Sequence, residues 1–174
     1  MKEQIQVMIS EEEVQTRISE IAAQISEDYK GEEILVVGIL RGGVYFCTDL
    51  TKRITVPVIL DFMEVSSYGA GTVSSGQVHI TKDLIEDIAG KHVVVVEDIV
   101  DTGRTLSLLL ENLKARAPKS LKLCTLLDKP QRREAEVQVD YNGFVIPNKF
   151  VVGYGMDYAQ KYRNLPYIGV VEGE

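Results

Sequence analysis

His92-Val93-Val94-Val95-Val96-Glu97-Asp98-Ile99-Val100-Asp101-Thr102-Gly103-Arg104-Thr105 is the stretch whose reading decides the fold. His92 to Glu97 is a short continuous apolar run closed by a charge, the pattern of a strand covered on both faces, as in a parallel sheet. Arg104 to Ala115 reads as the helix that follows. Between them stand two adjacent carboxylates, a third at Asp101, then a glycine and two threonines leading into the helix start. Backbone N–H groups at a helix start, with the dipole behind them, form a ready phosphate cradle, and Thr102 and Thr105 add hydroxyl donors. Asp98 or Asp101 could simply cap the helix. Capping needs one acceptor, however, and surplus charge at a strand end is costly without a partner.

Working outward, Ser10 and Glu13 fit a capping box, followed by Val14, Ile18, Ile21, Ala22 and Ile25 at helical spacing. Gly31 ends that helix. Ile34 to Ile39 predicts a second buried strand, stopped by Arg41-Gly42-Gly43, after which Val44 to Ile54 reads as a helix and Val56 to Val65 as a strand. Ser66 to Gly76 is small, polar and glycine-rich, a flexible loop by composition. Gln77 to Thr81 alternates as a return strand would. Leu121 to Leu127 is a further strand, and Phe150 to Val152 and Tyr167 to Val171 read as short extended pieces. Strands alternating with helices imply an α/β fold with a mainly parallel twisted sheet flanked by helices. Ligands then bind outside the carboxyl ends of the strands, here at Leu40 to Gly43, Glu97 to Thr105 and Asp128 to Arg133.

The sequence has 174 residues, 19 of them basic and 26 acidic, giving a formal net charge of −7. That length predicts one domain over 1–174. The acidic balance without a basic stripe argues against charge-driven nucleic-acid binding. An anionic ligand would need backbone N–H groups or a divalent metal to offset the carboxylates. No apolar run approaches a membrane span, Met1 to Glu13 lacks the apolar block of a signal peptide, and Cys47 and Cys124 suit a reducing cytoplasm. His79 and His92 are isolated, which removes histidine zinc sites and most Ser-His chemistry. Gly69-Ala70-Gly71 is not completed to a dinucleotide fingerprint, and no nucleoside-triphosphatase loop is present.

The Glu97–Thr105 run closely resembles the signature of type I phosphoribosyltransferases, which use phosphoribosyl pyrophosphate (PRPP). The acid at Asp101 is similar to that of the 6-oxopurine branch, the hypoxanthine-guanine phosphoribosyltransferases. The resemblance implies that Glu97 and Asp98 bind the ribose hydroxyls and magnesium. It implies that Asp101, Thr102, Gly103, Arg104 and Thr105 hold the 5′-phosphate, with Asp101 as general base. Leu40-Arg41-Gly42-Gly43 resembles the family's pyrophosphate loop, with a cis peptide before the first glycine. Arg41 stands where many relatives have lysine. Ser67-Tyr68 resembles the pair on the family's lid, over about residues 66–76. Lys129 matches the lysine that contacts the purine O6. Phe150 to Tyr158 resembles the C-terminal purine pocket: Phe150 stacking on the base, Val151 reading its edge, Asp157 helping to hold a second metal, and Arg163 facing pyrophosphate. The implied fold adds a small hood, built from the chain termini, over the base site. The implied partners are PRPP and a 6-oxopurine, in a homodimer or homotetramer. Two alternatives stay open: another base such as xanthine, or a regulatory RNA-binding protein of the same fold. Against the second, Lys129, Arg132 and Arg133 read as a solvated strand-end loop.

Overall fold

The structure is a computed structural model and describes residues 4–66 and 78–172. The lid expectations at Ser67 and Tyr68 lie outside the described residues. Gln4–Ile9 forms β1, Glu11–Asp28 α1, Ile34–Leu40 β2, Val44–Thr51 α2, Val58–Ser66 β3 and His79–Lys82 β4. His92–Val100 forms β5, Arg104–Lys114 α3 and Ser120–Asp128 β6; a 3-10 turn at Pro130–Arg132 precedes β7 (Tyr141–Val145), β8 (Val151–Val152) and β9 (Ile168–Glu172).

The main sheet has the order β4-β3-β2-β5-β6-β7, parallel throughout except for β4, which returns antiparallel along β3. Chain order runs outward in opposite directions from the β2–β5 boundary, so that boundary is the topological switch point, where a crevice opens at the strand ends. Gly38 pairs with Val96 across it, which sets the loops after Leu40 and after Val100 side by side. Alternate residues of β2 and β5 feed two cores. Ile34, Val36, Val94 and Val96 pack under α1 and α2 with Ile18, Ile25, Phe46 and Leu50. Leu35, Val37, Val93 and Val95 pack under α3 with Leu109 and Leu113. Continuous apolar strands are required because both faces are covered.

The Ser10 capping box is present: Ser10 Oγ accepts from Glu13 N at 3.1 Å and Glu13 returns the bond to Ser10 N at 2.8 Å. Other boundaries differ from the sequence expectation. α2 ends at Thr51, not Ile54, because Lys52 and Arg53 close it as a turn on Thr48 and Leu50. β5 runs on to Val100, so Glu97 and Asp98 project from the strand end itself. Two strands went unread. β7 pairs with β6 as an edge, and β1 pairs antiparallel with β9 in a separate three-stranded sheet, order β1-β9-β8. That small sheet joins the two ends of the chain into the expected hood.

Asp61, 5% exposed on β3, shapes the turn after β4. Its Oδ2 accepts from Ile85 N at 2.8 Å and Glu86 N at 2.9 Å, and its Oδ1 from Phe62 N at 2.8 Å. Burial alone would raise this carboxyl, but the three N–H groups and Lys82 more than offset it and hold it below its ordinary value. A depressed carboxyl stabilises the fold above its unfolded pKa, and that contribution is lost as pH falls through the folded value. Asp61→Ala should therefore cost about 2–3 kcal/mol at pH 7, since it removes three backbone hydrogen bonds made to a buried carboxylate. In urea unfolding, the gap from wild type should narrow below about pH 4.

Candidate active site

β5 delivers Glu97 and Asp98 into the crevice. Among the described residues neither carboxylate has a salt bridge; Asp98 Oδ1 takes only Ile99 N, at 2.7 Å. Burial, and then the Asp98 charge, push the Glu97 carboxyl well above the usual carboxylate range. Burial raises Asp98 as well, while Glu97, Ile99 N–H and Arg163 pull the other way. Two adjacent buried carboxylates of this kind favour a cation beside them. No cluster of three or more metal-ligating side chains exists among the described residues. One or two carboxylates with the rest of the shell from substrate oxygens and water is how magnesium is commonly held at phosphate sites, so the donor set fits that ion.

The loop after β2 lies directly on Asp98. The loop holds a cis peptide, between Leu40 and Arg41, one bond earlier than the bond before Gly42 that the resemblance implied. A Cβ on Gly42 would fall inside the Asp98 carboxylate, and one on Gly155 would fall on the Gly42 carbonyl. Two glycines thus let three chain segments stack at one point. Gly155 has φ +100°, a conformation L side chains rarely adopt. Arg163 Nη1 donates to its carbonyl at 2.6 Å, and Arg163 Nη2 lies 3.1 Å from Asp157 Oδ1. Asp157 Oδ2 accepts from Gln160 N at 2.8 Å, so this carboxylate already serves its own turn. The Arg41 side chain is exposed and reaches Gln160 Oε1 at 3.3 Å.

The turn before α3 is not capped by a carboxylate. The residue at the helix start is Gly103, φ +78°, with no side-chain cap. Arg104 N–H turns back to Thr102 Oγ1 at 3.4 Å, and the turn lines a cleft of about 190 Å³ with Glu97, Asp101, Thr102, Gly103, Arg104 and Thr105 among others. That is the arrangement of an anion nest. The Thr102 carbonyl accepts from Glu134 N at 2.9 Å and Ala135 N at 3.1 Å, bracing the turn from behind. Arg104 is largely exposed and ion-paired with Glu134, so its backbone rather than its guanidinium belongs to the nest.

Lys129 is 7% exposed and forms no salt bridge among the described residues. Burial holds its ammonium below the usual lysine value, with Asp101 opposing. Its backbone N donates to Val100 O at 2.9 Å, which sets it beside Asp101. The expectation of a solvated basic cluster is therefore corrected. Arg132 Nε lies 3.1 Å from Asp101 Oδ1, Arg133 Nη1 donates to Asp101 O at 2.8 Å, and Arg133 also binds Asp128. Asp128 to Arg133 lies at a strand end where ligands are expected, but composition does not reveal that Arg133 and Asp128 turn inward, since a strand-end charge usually looks outward. Phe150 keeps 45% of its surface exposed and meets Tyr158 edge-on, with centroids 5.6 Å apart, so it is a presented ring rather than a core side chain. Val151, next to it, is buried in β8 against β9.

Comparison with known proteins follows this geometry. Residues 9–159 match the phosphoribosyl transferase domain family. The hypoxanthine phosphoribosyltransferase of Salmonella typhimurium is 55% identical over 173 residues, covering 98% of this chain and 97% of that protein. The bifunctional protein TilS/HprT of Listeria monocytogenes is 55% identical over 168 residues, and there the chain spans 26% of the relative's length. The crystal structure of a hypoxanthine-guanine phosphoribosyltransferase from Bacillus anthracis superposes with a TM-score of 0.92 at 48% identity, covering 97% of this chain and 99% of that one. With the family matched over residues 9–159 and the overall fold superposing on that structure over nearly its whole length, the chain belongs to the phosphoribosyltransferases.

Proposed function

We propose that the protein transfers the 5-phosphoribosyl group of PRPP to N9 of a 6-oxopurine, hypoxanthine or guanine, yielding IMP or GMP and pyrophosphate in purine salvage. The observation that carries this reading is the uncapped helix start beside two unpaired carboxylates, with Asp101 and the buried Lys129 on the same rim. Naming of the Salmonella relative as a hypoxanthine phosphoribosyltransferase supports the choice of base.

The N–H groups of the Asp101–Thr105 turn take the 5′-phosphate. Glu97 and Asp98 accept from the ribose hydroxyls and would hold Mg2+, and Asp157 would help to hold a second metal ion. When bound, the ion neutralises charge on the pyrophosphate and acts as a Lewis acid. Backbone N–H groups of Arg41 and Gly42 and the Arg163 guanidinium orient the leaving group, while the Gly43 N–H is engaged on Ile39 O. As its bond to C1 of the ribose lengthens, positive charge grows on the sugar, and fixed dipoles stabilise both partners with little reorganisation. Phe150 stacks on the base, Val151 reads its edge through the backbone, and Lys129 donates to O6. Asp101 takes or shares the N7 proton as N9 attacks.

For the assembly, exposed Tyr45 and Leu60 supply apolar area for a homodimer or homotetramer. The cytoplasm fits two buried free thiols, both pushed above their ordinary pKa by burial. No described helix is long and apolar enough to cross a membrane. An RNA-binding role is disfavoured because Arg132 and Arg133 are engaged on Asp101 and Asp128.

Incubation with PRPP, magnesium and each of hypoxanthine, guanine, xanthine, adenine and uracil should give IMP and GMP fastest; absence of nucleotide from every base would sink the reading. Asp101→Asn should keep PRPP affinity while losing about 10²-fold or more in turnover. Wild-type turnover in that variant would remove Asp101 from proton transfer. Gly42→Ala, by displacing the loop from Asp98, should raise KM for PRPP about tenfold or more. An unchanged KM would show that the loop is not part of the site.

A further inference from the structure

Arg133 and Asp128 form an ion pair to which no substrate contact is assigned, yet it is built into the site's foundation. Asp128 is 8% exposed at the end of β6 and also accepts from Asn142 Nδ2 at 3.2 Å. Arg133 is turned inward on it and extends its other terminal nitrogen to the Asp101 carbonyl at 2.8 Å. Its Cδ lies where a Cβ on Gly103 would come within 3.1 Å, so the aliphatic stem backs the phosphate turn as the guanidinium holds it. Asp128 is joined directly to Lys129, whose N–H donates to Val100 O. Asp101 and Lys129 are thereby tied to one anchor from two sides.

A buried ion pair is weak as a source of stability, because desolvation consumes most of the Coulomb gain. Its use must lie in the geometry it fixes. Two acceptors of different kinds, a carboxylate and a carbonyl, are spanned by one planar fork, which a lysine ammonium on a flexible stem cannot reproduce. The phosphate turn has independent support from Thr102 O with Glu134 N and Ala135 N, and Arg132 reaches the Asp101 carboxylate from the surface at 3.1 Å, so what Arg133 adds is the placement of the Asp101 backbone.

We propose that Arg133, held by Asp128, is a positioning residue that fixes Asp101 against Lys129 for the proton transfer. The inference rests on the phosphoribosyl transfer proposed above. Arg133→Ala should lower the single-turnover rate of nucleotide formation by about tenfold to hundredfold, the cost of a misplacement on the order of 1 Å. KM for PRPP should stay within about threefold, because the nest keeps its own braces.

The experiment measures single-turnover rates, KM for PRPP and melting temperature for the wild type, Arg133→Ala, Arg133→Lys, Asp128→Asn and the Arg133→Ala/Asp128→Asn double variant. Expected are a rate loss in Arg133→Ala, partial recovery in Arg133→Lys, recovery of Arg133→Ala by millimolar guanidinium, and a double variant no slower than Arg133→Ala alone. A folded Arg133→Ala enzyme with the wild-type rate, or one whose loss lies entirely in KM for PRPP, overturns the proposal. So does additive loss in the double variant. A wild-type protein that forms no nucleotide would instead remove the transferase reading itself, and the two failures are told apart by that control. Should Arg133→Ala not fold, Arg133→Lys and Asp128→Asn carry the same decision through their rates and guanidinium response.

Discussion

Two carboxylates placed side by side at the end of a buried strand are an unfavourable object until a cation joins them. Glu97 and Asp98 sit there with both acidities weakened by burial, and that of Glu97 further by the Asp98 charge. Most of the surrounding architecture can be understood as accommodation of that pair. β5 must be apolar up to Val96 to be central in the sheet, and it must turn acidic at once after it. The β2 loop must be glycine at 42, because any side chain would occupy the Asp98 carboxylate. Gly155 must be glycine because it rests on Gly42. One electrostatic requirement propagates through contact into two positions far apart in sequence.

How an acidic protein accommodates a polyanion follows from the same geometry. Its formal charge is −7, and its arginines near the crevice are spent on Asp101, Asp128, Asp157 and Glu134. Free side-chain cations do not supply the attraction. Backbone N–H groups of an uncapped helix do, aided by a dipole that the sheet holds in place. Leaving the helix start without a carboxylate cap forgoes about 1 kcal/mol of local stability in exchange for an anion subsite.

The α/β class, the central strand and the acid-rich turn were legible in sequence because each is local: a run of valines, a cluster of charges, a glycine before a helix. The hood was harder. β1 alternates over six residues and finds its partner only in β9, at the other end of the chain. No window of neighbouring residues contains that pairing. Val44–Thr51 was overextended because Lys52, Arg53 and Ile54 continue a helical composition after the hydrogen bonding has closed. Lys129, Arg132 and Arg133 looked solvated for a related reason. Charge predicts exposure unless a counter-charge lies nearby in space, and Asp101 and Asp128 become neighbours only when β5 and β6 pair.

Sheet and hood have different work, and their junction shows how they are kept in step. Tyr154, 4% exposed with φ +48°, is turned back from the hood so that its hydroxyl donates to Asp49 on α2. Gln15 of α1 donates to the same hydroxyl at 3.3 Å and accepts from Arg53 at 2.7 Å. Asp49 belongs to the helix that the Arg41–Gly43 loop begins, so the segment carrying Phe150, Val151 and Asp157 is tied to the element carrying the glycine loop. A purely apolar contact would let the hood slide, whereas a directed hydrogen bond between a phenol and a carboxylate admits one arrangement. In the proposed reaction, base recognition on the hood and leaving-group orientation on the sheet would thus be set at a fixed spacing, which displacement at a single sugar carbon requires.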